Sequence, residues 1–238
     1  PTLLHDGLNT IAVEIHQVGP GSSDLTFNLS LSASQSTFGT SVSGALPAGT
    51  TTWTAEQGPY TVTANGTIPV GATLVIQPGT TVFFNSGTRL NINGRLLAQG
   101  TQWERIRFTR VPGGARWGGF RFTDTQQDNQ MSYFDQEYGD SQNYGIGVTR
   151  SKLTIDQASW AFANRTVIEV LNPSLLVKNS HFPAIGGGEV IHGEHIVDGE
   201  YLIVDGNVFD KGTNSDDIID FLGADRPGSG RIEERCHG

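Results

Sequence analysis

Three residues that can exchange protons occupy the same position in a repeated segment of this chain. The copies of the repeat are GIGV (145–148), VIEV (167–170), VIHG (190–193) and IIDF (218–221). Apolar residues alternate along each copy, which predicts strands, and the alignment puts Glu169, His192 and Asp220 at one outward position. Neighbouring strands of a parallel sheet lie about 4.8 Å apart. The sequence therefore predicts two carboxylates and an imidazole within interaction range.

Such a row suits the cleavage of glycosidic bonds. Carboxyl groups held close together have different pKa values, so one keeps its proton while another stays ionised. A glycoside hydrolase needs one group of each kind, and two strand spacings give about 9.6 Å, close to the inverting range of about 6.5–9.5 Å. The predicted catalytic set consists of Glu169, His192 and Asp220, together with two acidic residues near the strand ends, Glu194 and Asp217.

The same residues allow two other interpretations. A Glu–His–Asp row can be a hydrogen-bonded, charge-balanced ladder with a structural role only. A calcium site formed by Asp216, Asp217 and Asp220 is also open, because Ca²⁺ takes several oxygen ligands. The hydrolytic interpretation requires no cofactor.

Candidate substrate-binding residues lie in a second region that is rich in arginine. Five arginines fall within seventeen residues: Arg105, Arg107, Arg110, Arg116 and Arg121. Trp103 and Trp117 flank this cluster, and sugar rings stack on exposed indoles, so we predict Trp103, Trp117 and Arg121 as substrate contacts. The arginines are alternatively outward positions that solvate one face of the molecule.

A further repeat predicts the elements that must position these groups. The segments MSYFDQEY (131–138), SKLTIDQASW (151–160), PSLLVKNSHF (173–182) and YLIVDGNVF (201–209) can be overlaid with Tyr138, Trp160, Phe182 and Phe209 as one aromatic stack. Their apolar residues alternate, and Asp156, Lys178 and Asp205 point outward. Two flanking carboxylates keep a lysine protonated, so we expect a salt-bridge ladder, with the base of a Ca²⁺-dependent lyase as the alternative.

Repeats of alternating strands at a period of 20–50 residues are typical of a solenoid. We predict an all-β fold in which residues 59–238 form a right-handed parallel β-helix. Residues 1–32 read as a hairpin from the end of a β-sandwich, and residues 33–58 as a linker or entry segment. No capping pattern follows the last repeat, so we expect either further coils or an end-to-end dimer.

Composition excludes several classes of partner. The net charge of −9 and pI near 5.0 argue against nucleic acid, whose phosphates require clustered lysine and arginine. The single cysteine, Cys236, gives neither a disulfide framework nor a cysteine metal site. No apolar run is long enough to enter a membrane.

The runs PGTTVFF, GRLLAQGT, RIRFTR, WGGFRF and YGDSQNYGIGV resemble the right-handed parallel β-helix modules of large bacterial secreted or surface proteins, of the lamin-tail-associated type. The run LNTIAVEIHQ with SSDLTFNLSL resembles the last strands of the β-sandwich that precedes such modules. This resemblance implies a secreted or cell-surface location.

Parallel β-helices include pectate lyases, polygalacturonase-type hydrolases, pectin esterases and adhesive arrays. TNSDDIID loosely resembles the Asp-Asp pair of the polygalacturonases, but their Asn-Thr-Asp, Gly-His-Gly and Arg-x-Lys motifs are not found. The predicted function is an extracellular carbohydrate-active module that hydrolyses or binds a polysaccharide. The alternatives are a non-enzymatic adhesive solenoid and a Ca²⁺-dependent polysaccharide lyase.

Overall fold

A computed structural model describes residues 39–195, 199–210 and 218–222, and its regular elements within these ranges are all β-strands. They are β1 (Thr40–Ala45), β2 (Gly49–Trp53), β3 (Tyr60–Ile68), β4 (Ala72–Ile76), β5 (Thr81–Phe84), β6 (Leu90–Ile92), β7 (Arg95–Gln99), β8 (Ile106–Arg110), β9 (Phe120–Thr123), β10 (Asn129–Ser132), β11 (Phe134–Glu137), β12 (Tyr144–Thr149), β13 (Lys152–Asp156), β14 (Ser159–Ala161), β15 (Thr166–Leu171), β16 (Ser174–Lys178), β17 (His181–Phe182), β18 (Ile191–Glu194), β19 (Tyr201–Asp205), β20 (Val208–Phe209) and β21 (Ile219–Leu222).

These strands form a parallel β-solenoid of about seven turns, as the repeats predict. Face 1 contains β5, β8, β11, β14, β17 and β20; face 2 contains β6, β9, β12, β15, β18 and β21; face 3 contains β2, β4, β7, β10, β13, β16 and β19. The long strand β3 joins faces 1 and 2, because its first residues pair with β5 and its last with β6. Each strand is hydrogen-bonded in parallel to the next coil.

The described part of residues 33–58, for which the sequence predicts a linker or entry segment, contains two strands of the solenoid. Strand β1 pairs with β3, and β2 pairs with β4, although most of their residues are exposed. The hairpin predicted in residues 1–32 lies outside the described residues.

The core is a column of inward side chains that repeats from coil to coil. On face 2 it consists of Leu90, Phe120, Ile146, Ile168 and Ile191, which occupy one register position and are at most 1% exposed. Burial of one such side chain stabilises the fold by about 1.5–3 kcal/mol. Because successive side chains of a strand alternate between sides, the neighbours of these residues must point to solvent on face 2.

An aromatic stack also runs along the solenoid, as predicted for three of its four members. Trp160 stacks on Phe182 with ring centroids 4.4 Å apart, and Phe182 stacks on Phe209 at 4.7 Å. The placement of Tyr138 in this stack is wrong, because the residue in register with Trp160 is Gln136.

The first copy of that repeat is therefore shifted by two residues from the predicted alignment. Met131 pairs with Ile155, where the sequence placed Tyr133. Tyr133 instead forms the corner after β10, with a φ of 47°. The sequence alignment treated Tyr133 as an inward residue because a tyrosine is often found in a core.

The corners of the solenoid share one backbone device. A residue with positive φ directly follows the strand at three sets of corners: Tyr133, Gln157, Asn179 and Gly206 after face 3; Tyr138 and Phe162 after face 1; and Asp124, Arg150, Asn172 and His195 after face 2. The left-handed conformation costs a non-glycine residue roughly 1–2 kcal/mol. Because it recurs coil after coil, the side chains at one corner are brought into contact with each other.

Candidate functional site

Face 2 brings the three predicted acid–base residues onto consecutive strands. Glu169 of β15 is in register with His192 of β18, and His192 is in register with Asp220 of β21. Gly147 of β12 precedes them in the same row, and Arg121 of β9 comes before Gly147. The predicted register of this ladder is therefore confirmed, and the row extends further than the sequence suggested.

Glu169 and His192 form a direct contact in this row. Nδ1 of His192 lies 2.9 Å from Oε1 of Glu169, and the two side chains are only 17% and 30% exposed, respectively. Two additional carboxylates, those of Glu189 and Glu194, act on the imidazole through their charge. The contact is a hydrogen bond between groups that can share or exchange a proton.

The surroundings raise the pKa of both partners. Burial raises the pKa of Glu169 and outweighs the lowering effect of the hydrogen bond and charge of His192. Burial on its own would lower the pKa of His192, but the hydrogen bond and charge of Glu169, together with Glu189 and Glu194, outweigh it and raise the pKa. The pair therefore holds protons at a higher pH than the same groups do in water, which is what a proton donor requires.

The remaining members of the predicted catalytic set are less closely connected. Asp220 is half-buried beside His192. Glu194 is in register with Leu171, and its Oε2 lies 4.0 Å from Nδ1 of His195. Asp217 is outside the described residues.

The metal-binding prediction is tested only in part by this structure. Of its three residues, Asp216 and Asp217 are outside the described residues and Asp220 is within them. Across residues 39–195, 199–210 and 218–222, no group of three or more His, Cys, Asp or Glu side chains could hold a metal ion. A calcium site remains a prediction.

Arg121 has a defined environment at the other end of the row. Its guanidinium lies over the ring of Tyr144 at 3.9 Å from the centroid. It also donates to the backbone carbonyl oxygens of Phe120, Gln142 and Tyr144 at 2.8, 3.0 and 3.2 Å. A Cβ atom on Gly147 would lie 2.4 Å from Cε2 of Tyr144 and 3.2 Å from Cδ of Arg121. Gly147 therefore leaves the space in which Arg121 and Tyr144 stack.

The two predicted tryptophan platforms differ. Trp103 is 86% exposed, so its indole is available to a ligand. Trp117 is fully buried, stacks on Phe84 at 3.8 Å and donates its indole N–H to the carbonyl oxygen of Glu137. The prediction that Trp117 contacts substrate is wrong, because its ring completes the core beside face 1.

A surface stack that the sequence reading missed lies at the corner between faces 1 and 2. Arg110 lies over Tyr138 at 3.8 Å, and Tyr138 stacks on Phe162 at 4.4 Å with an angle of 3° between the rings. Phe162 is 57% exposed. The signal in the sequence is that Tyr138 and Phe162 each follow a face 1 strand directly.

The other arginines of the cluster are paired with acids of the next coil. Arg105 binds Asp135, Arg107 binds Glu137, and Arg116 binds Asp140. Burial raises the pKa of Asp135 despite the charge of Arg105. On face 3, Lys178 forms the predicted ion pair with Asp156 at 3.2 Å and is in register with Asp205.

The fold and the row on face 2 together define a parallel β-solenoid that carries a polar ladder on one outer face. Comparison of the chain with protein-family models, curated proteins and solved structures gave no match. The described ranges contain no helix that could cross a membrane.

Proposed function

We propose that this chain is a polysaccharide-active module whose face 2 contacts the glycan and whose Glu169 donates the proton for glycosidic cleavage. The observation that carries the proposal is the Glu169–His192 hydrogen bond of 2.9 Å between two partly buried groups of raised pKa. A carboxyl group with a raised pKa keeps its proton to higher pH than an exposed one does, and its protonated form can protonate a departing alkoxide. Secretion to the cell surface is part of the same proposal.

Asp220 supplies the second group that an inverting hydrolysis needs. It is two strands from Glu169, which corresponds to about 9.6 Å. In this arrangement Asp220 takes a proton from a water molecule that attacks the anomeric carbon, and Glu169 gives its proton to the leaving oxygen. His192, between them, then passes the proton that Asp220 took from the water to Glu169 through the existing hydrogen bond, which restores both carboxyl groups to their starting forms.

Exposed aromatic rings support the carbohydrate class. Phe162, at the corner between faces 1 and 2, presents a large apolar surface to solvent and is held in place by Tyr138 and Arg110. Trp103 is also exposed, but it lies between β7 and β8, at the corner between faces 3 and 1, and so would serve a part of the glycan that leaves face 2. Rigid exposed rings bind apolar sugar faces with little loss of side-chain entropy.

Binding without cleavage is the second candidate. It is favoured because Glu169 and His192 satisfy each other, as in a structural ladder. In this case face 2 serves an adhesive solenoid and the aromatic rings carry the affinity.

The test is a panel of neutral and acidic polysaccharides, assayed for reducing ends, for unsaturated products and for binding. Hydrolysis predicts new reducing ends that fall by about 10²–10⁴-fold in Glu169→Gln and Asp220→Asn. Two matched controls should keep wild-type activity: Glu56→Gln and Asp205→Asn, which alter exposed acids away from face 2.

Each alternative has its own result. Binding that survives both substitutions with no cleavage of any polymer supports the adhesive candidate. Unsaturated products that require added Ca²⁺ identify a lyase. If no polysaccharide of the panel is bound or cleaved, the whole proposal is refuted.

A further inference from the structure

Arg89 and Arg121 form a pair of neighbouring cations on face 2. Both side chains are half-buried, and among the described residues neither forms an ion pair with a carboxylate. The two side chains are close enough for the charge of Arg89 to lower the pKa of Arg121. In contrast, three arginines of the neighbouring cluster, Arg105, Arg107 and Arg116, have carboxylate partners.

Neutral groups fix the two guanidiniums in place. Arg89 donates through Nε to Oδ1 of Asn91 at 3.0 Å and through Nη1 to Oε1 of Gln142 at 2.7 Å. The backbone carbonyl of Gln142 accepts from Arg121, and Nε2 of Gln142 donates to the carbonyl of Gly87 at 3.0 Å. Gln142 thus connects both cations to the backbone of an earlier coil, so their positions are set before any ligand arrives.

Donors remain on both side chains. The hydrogen bonds of Arg89 use Nε and Nη1, and those of Arg121 use Nη1 and Nη2. The Nη2 group of Arg89 and the Nε–H of Arg121 therefore have no protein partner within the described ranges. A guanidinium has five N–H donors in a planar fork that matches the two oxygens of a carboxylate.

The electrostatics point in the same direction. Burial, together with the charge of Arg89, lowers the pKa of Arg121 to about 10, against the raising effects of Tyr144 and Glu169. Arg121 remains a cation at neutral pH, since this pKa is still well above 7. Two partly desolvated like charges repel each other, and an anion bound between them would relieve that repulsion.

We infer that Arg89 and Arg121 form a subsite for the carboxylate of an acidic sugar residue in the glycan that lies along face 2. Asn91 is in register with Arg121 and orients Arg89, because its Oδ1 accepts from Arg89 while its amide N–H groups donate to Gly66 and Thr67. Arg121 is two strands from Glu169, or about 9.6 Å, so the acidic sugar binds beside the cleaved bond rather than at it. This inference rests on the proposed function and names its substrate class.

The experiment compares binding of polygalacturonate, neutral galactan and dextran sulfate to the whole chain by calorimetry. Wild type should bind polygalacturonate at least about tenfold more tightly than galactan, since a hydrogen bond to a charged group is worth a factor of this size. Arg89→Gln and Arg121→Gln should each remove about that factor. Arg150→Gln, which alters an arginine already paired with Asp124, should leave the affinity unchanged.

Thermal unfolding of each variant accompanies the binding measurement. Arg121→Gln also loses the stack on Tyr144; if it does not fold, Arg89→Gln decides the question. Equal affinity for galactan and polygalacturonate overturns the subsite. Preference for dextran sulfate over polygalacturonate overturns its assignment to a carboxylate.

The subsite and the proposed function can fail separately. Cleavage that depends on Glu169, without any preference for acidic polymers, overturns the subsite and leaves the function intact. Arginine-dependent binding of polygalacturonate without cleavage supports the subsite and refutes hydrolysis.

Discussion

The hydrogen bond between Glu169 and His192 should contribute measurably to stability, and its contribution should depend on pH. Hydrogen bonds to a charged group are worth about 1.5–3 kcal/mol. The side chains are 30% and 17% exposed, so screening by solvent reduces this range only in part. A double-mutant cycle with Glu169→Gln and His192→Gln should give a coupling energy of about 1–2 kcal/mol at pH 5.5.

The sign of the pH dependence follows from the two pKa shifts. The pKa of His192 is raised in the folded chain, so its contribution is fully present below the unfolded value of about 6.5 and is lost as the pH rises through the folded value. The pKa of Glu169 is also raised, so ionisation of this carboxyl favours unfolding as the pH rises above about 4.5. Both effects make the pair less stabilising in alkaline solution.

The measurement is urea-induced unfolding of wild type, both single variants and the double variant at pH 5.5 and pH 9. The exposed pair of His181 and Asp210, with Nε2 and Oδ1 also 2.9 Å apart but both side chains 49% exposed, serves as the control cycle. Its coupling should be much smaller because its charges face solvent. A coupling for Glu169 and His192 that equals the control, or that is larger at pH 9 than at pH 5.5, would contradict the reasoning.

Three further substitutions test the packing around the candidate site, each by equilibrium unfolding against a matched control. Gly147→Ala introduces a Cβ atom 2.4 Å from the ring of Tyr144 and should cost about 1–3 kcal/mol, whereas Gly186→Ala, with open space around it, should change little. Trp117→Ala should cost about 3–5 kcal/mol, and Trp103→Ala less than about 0.5 kcal/mol, because only the first ring is buried. Asp140→Asn should cost about 3–5 kcal/mol, since the Asp140 side chain is 2% exposed and the substitution leaves Arg116 without its counter-charge. Asp124→Asn removes a charge from an exposed ion pair and should leave the midpoint of unfolding at the wild-type value.

The face 2 ladder could be predicted from the sequence because its signal is local and repeated. Ile146, Ile168, Ile191 and Ile219 occupy the same position in each copy and have to point inward, which fixes the outward neighbours. A shift of one residue would expose every one of these isoleucines. The register of Glu169, His192 and Asp220 followed from this constraint alone.

The partners of the arginines could not be predicted in the same way. The pairs Arg105–Asp135 and Arg107–Glu137 each span 30 residues, because the coil between β7 and β10 is longer than the coil before it. Ala98 pairs with Ile76 of the preceding coil, 22 residues earlier, but its partner in the following coil is Met131, 33 residues later. The extra length is in loops that carry no alternating pattern. Because the length of that coil cannot be derived from the sequence, the acids that pair with the arginines could not be assigned.

Gly147 lies between two chemically different ends of the row. On one side of it, Arg89 and Arg121 have neutral hydrogen-bond partners, and on the other side lie the carboxyl groups of Glu169 and Asp220 with His192 between them. A side chain at this position would displace the stack of Arg121 on Tyr144. A glycine at an outward position contributes nothing to the hydrophobic pattern, so its role could not be predicted from the sequence, yet its missing Cβ leaves the space in which Arg121 stacks on Tyr144 beside the acidic end. A glycan that carries one acidic residue near its cleaved bond would match both ends at once.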